Sequence, residues 1–443
     1  MVRMRRITLF LLTVSLWAGA NGEVKAQAKS AAESLPRFDS LTTVEDYVDY
    51  ATRNRSGLKA SYEQWQESVA MKGSAGALEN PLLSYEYGYT KFSDPVGPQR
   101  QKFGIMQPLP WFGTLGARKK AAGFAAESNY ERYRSEELNT AYRVKSAYYE
   151  YYFAARQLEL TKANFELMKQ FEEVIRTRYA AGLSMHPDLI KAQIELGEME
   201  EMIRSMEFML TPARVRLLSQ MNLPDSMSLP LPREFEVSEA QFPNDSLVAI
   251  AEEANPNLAA IRKQIESERA EATVTKKMSY PEMMLGVEYE RASLVDAMTG
   301  DKETMNEYMV NVQVSLPIWF GKNRAMRDAA RARVRMSEYT HQEERNDLAA
   351  MIAMTNFEYN DAVRKLRLYR SGLIPKASES LNASFTAYQT GMTDFLMLLD
   401  AQRQLLEFEL TAERAQATAA TKLAELEMIT GIKLTNNQSN KPQ

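Results

Sequence analysis

The chain of 443 residues contains no cysteine, which excludes a disulfide framework, a Cys–His nucleophile and a cysteine-linked lipid anchor. Histidine is nearly absent too: His186 and His341 are the only two, and neither has partners at metal-ligand spacing. Net charge is only −4, so no basic excess marks a nucleic-acid partner. Mean hydropathy is −0.41, and past the N-terminus no stretch offers the ~20 uninterrupted apolar residues of a membrane helix. That lack leaves β-strand spanning open, because alternating strands give no hydropathy peak. Nucleophile elbow, phosphate loop and H-E-x-x-H motifs are all missing, so the reading is a non-enzyme without a cofactor.

What is present begins with a leader. Arg3, Arg5 and Arg6 precede the apolar run Ile7 to Trp17, and small residues follow. This is a signal-peptide pattern over 1–28, with cleavage after Ala20 or Ala28.

The mature chain is then written twice. Trp111-Phe112-Gly113 recurs as Trp319-Phe320-Gly321, and "YAAGLSMHPDLIKAQIEL" (179–196) lies over "YQTGMTDFLMLLDAQRQL" (388–405) without a gap. Two motifs in the same order mark a tandem duplication. The first repeat spans 29–222, the second 244–432, with a proline-rich linker over 223–243 and a polar tail over 433–443.

Within each repeat the hydrophobic period changes from two to about 3.6. Leu83, Tyr85, Tyr87 and Tyr89 alternate with polar neighbours, as do Tyr308, Val310, Val312 and Val314. Strand pairs are expected at 82–90/100–109 and 282–291/307–316, with loops at 91–99 and 292–305. Long helices are expected over 114–180 and 322–390, return helices over 187–222 and 394–430, and one further helix before each strand pair, 44–78 and 245–277. At ~1.5 Å per residue each long helix reaches on the order of 100 Å.

Four strands cannot close a membrane barrel, and an open sheet in lipid strands its edge hydrogen bonds. Three copies would pool about twelve strands around an aqueous lumen. Pro108, Pro110 and Pro317 are expected to end the ladders, Gly113 and Gly321 to relax the backbone. Trp111, Phe112, Trp319 and Phe320 would then stand at the membrane–water boundary. The expected fold is a mixed α and β membrane protein, a tandem repeat giving four β-strands per chain of a trimeric barrel that continues into a long α-helical periplasmic barrel.

This organisation resembles the outer membrane efflux protein (TolC-like) family. The resemblance rests on the paired strands, on "LPWFG" and "LPIWFG" before each long helix, and on "YAAGLS" and "YQTGMT" at the helix turns. The Trp-Phe-Gly phrasing is most similar to the heavy-metal (CusC/CzcC-type) branch. The resemblance implies a homotrimer in the outer membrane of a Gram-negative cell, reaching into the periplasm. It serves there as exit duct for an inner-membrane pump of RND type, joined through a periplasmic adaptor. It places Gly182, Leu183, Ser184, Gly391, Met392 and Thr393 at tips where the adaptor docks. It also implies an acidic gate ring at Asp400, with Asp188 standing in the first repeat where Met397 stands in the second. Heavy-metal ions, drugs and secreted peptides remain alternative cargoes. The competing reading is a soluble periplasmic coiled-coil adaptor or structural protein, in which each Asp lies on a solvated helix face. The 25 methionines read as filling of irregular core gaps rather than a soft-metal ladder.

Overall fold

A computed structural model describes residues 43–89, 99–295, 299 and 301–434. The leader over 1–28, most of the loop 91–99 and the tail from 435 lie outside the described residues.

The chain opens with α1 (Val44–Asn54), started by a capping box in which Thr43 and Asp46 each bond the other's backbone N–H. The single helix expected over 44–78 is two: the backbone turns extended at Arg55, and α2 (Ser56–Ala75) follows. The second repeat breaks at the same place. Between α5 (Asn244–Ala254) and α6 (Pro256–Lys277), Asn255 is extended, because the residue before a proline is pushed out of the helical region. Its side chain then caps α6 by accepting from Leu258 N–H at 2.9 Å.

The strands are β1 (Leu82–Tyr89), β2 (Gln99–Leu109), β3 (Met283–Val295) and β4 (Lys302–Val314), antiparallel in the order β1-β2-β3-β4. The second hairpin is longer at its far end than its alternation indicated, and β4 stops at Val314 rather than 316. Pro108 does not end its ladder but pairs with Met284 inside it. β1 stops opposite Met106, so the β1 side of Pro108 is already vacant and its missing N–H breaks no bond there.

Four longer elements hang from the sheet. α3 (Thr114–Ala180) is one unbroken helix of 67 residues, and α4 (His186–Gln220) returns beside it. In the second repeat the expected continuous helix over 322–390 is interrupted. α7 (Phe320–Leu368) widens into a π turn at Tyr369–Leu373 before α8 (Ile374–Thr390), and α9 (Phe395–Thr430) returns. The two Trp-Phe-Gly phrases also differ. Gly113 is left-handed at φ +76 and precedes α3, whereas Gly321 already lies in the first turn of α7 and is not left-handed. The helix is capped at Gly113 in the first phrase and at Trp319 in the second, so the second helix begins two residues earlier in its phrase.

The linker 223–243 is neither helix nor strand, yet it is packed. Phe235 meets the rings of Tyr149 and Tyr152 at 4.9 and 4.7 Å, and Tyr359 donates to Ser238 O at 2.6 Å. Around this strap α1, α3 and α9 converge on Lys145, whose ammonium lies 3.1 Å from Glu45 and 3.2 Å from Glu427. Burial pulls that amine down, but Glu427 and Glu45 outweigh it and the net shift is upward. Its contribution is therefore complete below the ordinary lysine value and lost only as pH rises through the folded one. Lys145→Met removes the cation and leaves two carboxylates facing each other. It should cost about 2–4 kcal/mol, read as a lower thermal midpoint by circular dichroism that stays constant across about pH 6–9.

Candidate functional site: the channel wall and its periplasmic tips

The sheet has two chemically opposite faces. In register across the four strands run Tyr85, Phe103, Tyr289 and Tyr308, a row of aromatics with ring contacts of 4.7 Å (Tyr85–Phe103) and 5.2 Å (Tyr289–Tyr308). The next row toward the helices is Leu83, Ile105, Val287 and Val310, followed by Leu285 with Val312 and by Leu109, Met283 and Val314. This face is bare: Tyr308 is 78% exposed and Val310 72%. From Tyr289 to Met283 the apolar band covers roughly 20 Å along the strand.

At its foot, β2 and β4 flank β3 and hand over to the two aromatic phrases. Beyond Pro110, Trp111 stacks on Tyr280 at 5.3 Å and touches Phe112 at 5.8 Å. Past Pro317, Trp319 and Phe320 are largely exposed, as is Phe112. An apolar band between two aromatic rows is the pattern of a lipid-facing strand surface.

The opposite face carries charge. Lys102 pairs with Glu288 at 2.7 Å and Arg100 with Glu290 at 3.6 Å. A Cβ on Gly104 would meet Ser84 Oγ at 2.6 Å and Glu288 Cγ at 3.2 Å, so the missing side chain lets Glu288 lie flat across β2 toward Lys102. Glu86 and Glu307 complete a transverse row with Lys102 and Glu290, and make no ion pair among the described residues. β1 and β4 each keep one unpaired edge.

The far ends of the helices are built alike. Leu183 N–H reaches back to Arg178 O at 2.8 Å and Gly182 N–H to Tyr179 O at 2.9 Å; Met392 and Gly391 repeat the pattern onto Ala387 and Tyr388. Both turns are Schellman motifs with glycine at C′. They also lie against each other. Arg178 donates to Gln389 O and, at 3.2 Å, to Leu183 O, and its guanidinium stands 5.3 Å over the Tyr388 ring. Ser184 Oγ is 3.1 Å from the Tyr388 hydroxyl. Leu183 and Met392 protrude at 66% and 84% exposed, with Met185 beside them, while Thr393 is half-buried. Asp394 accepts from Met397 N–H at 3.1 Å and caps α9. Arg178 joins the two tips and Asp394 caps α9 beside them, and the sequence reading singled out neither. A lone Arg carried no signal, but an Asp directly before the apolar run Phe395-Leu396 is an N-cap pattern.

The two candidate gate acids have different surroundings. Asp188 is half-buried in the first turn of α4, where Ser184 donates to it at 3.3 Å and the helix dipole favours its charge. Asp400 is exposed on α9 and makes no hydrogen bond or ion pair among the described residues. One turn on, Arg403 crosses to α4, donating to Glu195 at 3.0 Å and standing 3.6 Å from Glu198. Met168, Met199 and Met221 are buried core. Among the described residues no three His, Asp or Glu side chains converge on a metal position, and no helix is long and apolar enough to cross a membrane.

Comparison with known proteins bears on this geometry. The family profile described as "Outer membrane efflux protein" matches residues 49–217 and 247–432, one segment in each repeat. The chain is 22% identical over 408 residues to the outer membrane protein TolC of Vibrio cholerae serotype O1, covering 89% of this chain and 87% of that protein. It is 21% identical over 424 residues to the cobalt-zinc-cadmium resistance protein CzcC of Cupriavidus metallidurans, covering 91% and 94%. The solved structure of CusC superposes with a TM-score of 0.75 at 16% identity, over 90% of this chain and 96% of that one. With its bare apolar sheet face and its long helices below, the chain belongs to the outer membrane efflux protein family, placed in the outer membrane and extending into the periplasm.

Proposed function

We propose that three copies of this chain form the exit duct of a tripartite efflux assembly. The observation that carries it is the open sheet, apolar and exposed on one face, charged on the other, with both edges unpaired. Edges cannot stay open in hydrocarbon, so copies must join β4 of one to β1 of the next. Below, the exposed apolar residues Met336, Tyr339, Met354 and Phe357 on α7 suit burial between copies. Leu183, Met185 and Met392 present an apolar tip to a periplasmic adaptor, which links the duct to an inner-membrane pump of RND type. Asp400, exposed on α9 with its charge acting on Arg403, supplies one carboxylate per copy to a ring that attracts cations. Among the described side chains of the inner face, four acids (Glu86, Glu288, Glu290, Glu307) against two bases (Arg100, Lys102) favour cationic cargo, metal ions or cationic organics.

Detergent-extracted protein placed in a planar bilayer tests this directly. Discrete channels preferring cations are expected, and Asp400→Asn should lower both that preference and the conductance at low salt, because the lost ring charge no longer concentrates cations. A water-soluble monomer without conductance would leave the soluble coiled-coil reading instead. Wild-type selectivity in Asp400→Asn would remove Asp400 from the gate.

A further inference from the structure

Charge is not spread evenly along this chain. Four helix ends meet the foot of the sheet: the C-termini of α2 and α6 and the N-termini of α3 and α7. The stretches 68–82, 114–122, 270–282 and 320–328 hold nine Lys or Arg against four Asp or Glu, a surplus of five cations in a chain whose net charge is −4. On α2 and α3 the bases are Lys72, Arg118, Lys119 and Lys120. On α6 and α7 they are Lys276, Lys277, Lys322, Arg324 and Arg327.

Helix stability does not ask for them. Lys276 and Lys277 do suit the C-terminus of α6, where the dipole favours cations. The N-termini are the reverse case. Neither α3 nor α7 has an acid in its first turn, and Lys322 stands inside that of α7. The next turn of each helix carries only bases among its charged residues, Arg118 to Lys120 and Arg324 with Arg327. Nor does the chain neutralise them. Arg118 lies 3.6 Å from Glu79 and Arg324 3.9 Å from Asp328, but Lys72, Lys119, Lys120, Lys276 and Lys322 make no ion pair among the described residues. A cluster that breaks a local rule without an internal partner marks a site for an external one.

The cluster is also built. Two glycines on the α2–α3 seam each seat a lysine stem from the facing helix. A Cβ on Gly76 would stand 3.1 Å from Lys119 Cδ, and one on Gly123 would stand 3.4 Å from Lys72 Cε. Lys120 has its ammonium 5.7 Å from the Phe124 ring centroid. Lys277 ties the group to the aromatic joint, donating to Phe112 O at 3.0 Å. Phe112 itself is 74% exposed, beside Trp111 stacked on Tyr280. Arg118 to Lys120 lie about 6–9 Å past the start of α3. That is within about one Debye length of headgroups at the joint, and long basic side chains reach back further toward them.

We propose that this basic collar is a docking surface for the acidic phospholipid headgroups of the membrane's periplasmic leaflet, with Lys72, Lys119 and Lys120 on the α2–α3 seam as its fixed seat. The inference goes beyond the duct reading and rests only on the joint lying at the membrane boundary.

Trp111 and Trp319 at the joint supply the probe. Full-length protein is reconstituted into vesicles in which either phosphatidylglycerol or phosphatidylcholine carries brominated chains, and quenching of tryptophan fluorescence gives the relative binding of the two lipids. Phosphatidylglycerol should be preferred about tenfold at low salt and about twofold at 0.5 M salt. Lys72→Gln, Lys119→Gln and Lys120→Gln combined should lower the low-salt preference to about twofold, whereas arginine at the same three positions should keep it. Lys191→Gln with Lys376→Gln, far down the helices, should match wild type. Equal quenching by both lipids in wild type, or a preference that survives the triple glutamine variant, would overturn the collar and leave the duct reading intact. Loss of the preference to inorganic phosphate or to polyglutamate, against chloride at equal ionic strength, would make the ligand a free anion or an acidic protein segment and overturn the lipid proposal. No quenching by either lipid would overturn both readings, because the joint would then lie away from any membrane.

Discussion

Val287→Arg should empty the outer membrane of assembled protein, while Gln313→Arg, on a neighbouring strand but the opposite face, should be tolerated. Val287 sits in the row Leu83, Ile105, Val287, Val310, between the aromatic row and the foot of the sheet, and is 58% exposed in the single chain. That places it near the middle of the apolar band. An arginine at the midplane of a lipid-facing strand costs about 2–4 kcal/mol, and an assembly of three copies carries it three times. Gln313 projects to the face that bears Lys102 and Glu288, where a further charge meets water and acids. The measurement is the amount of heat-resistant oligomer recovered from the outer-membrane fraction. Equal recovery for both variants would mean that the apolar face is covered by protein, and the sheet would then belong to a soluble particle.

The duplication, the alternating strands and the glycine-ended tips were legible because each depends on a local period or a local backbone demand. Tyr308, Val310, Val312 and Val314 fall on one face whatever the rest of the chain does. Features that depend on long-range partners were not legible. The break at Asn255 had a visible cause in Pro256, but its match at Arg55 has no proline after it; there the Arg55 guanidinium is held by Gln220, 165 residues away. The π turn leaves composition unchanged, and only Pro375 hinted at it. Pro108 inside β2 follows from where β1 happens to stop. At the tips the glycines were visible, whereas the Arg178–Tyr388 contact that joins the repeats needs the folded hairpins to bring them together. The same reason separates Asp188 from Asp400: one accepts from Ser184, while the other makes no hydrogen bond through its side chain among the described residues and acts by its charge on Arg403.

Gly431 is the position where the second repeat should tolerate least. It ends α9 in the left-handed region at φ +79, which costs a residue with a Cβ about 1–2 kcal/mol. Space is a second obstacle. A Cβ there would lie 2.5 Å from the carbonyl oxygen of Ala254 and 2.9 Å from its carbon, and both are backbone atoms that cannot rotate away. The backbone it strikes is the α5–α6 break, where Asn255, 7% exposed, caps α6 and also donates to Ile429 O at 2.7 Å. Displacing Ala254 would therefore loosen the cap and the carbonyl contact together, beside the cluster of Leu247, Leu258, Leu426 and Ile429. Overpacking of this kind adds about 1–3 kcal/mol, so Gly431→Ala should lose on the order of 2–5 kcal/mol in total. Gly321→Ala is the control: with a helical backbone and nothing within 4 Å of its would-be Cβ, it should match or slightly exceed wild type. Thermal unfolding of the two variants side by side decides it. Equal midpoints would mean that α9 does not end in a left-handed turn pressed against Ala254, and that the α5–α6 break does not lean on it.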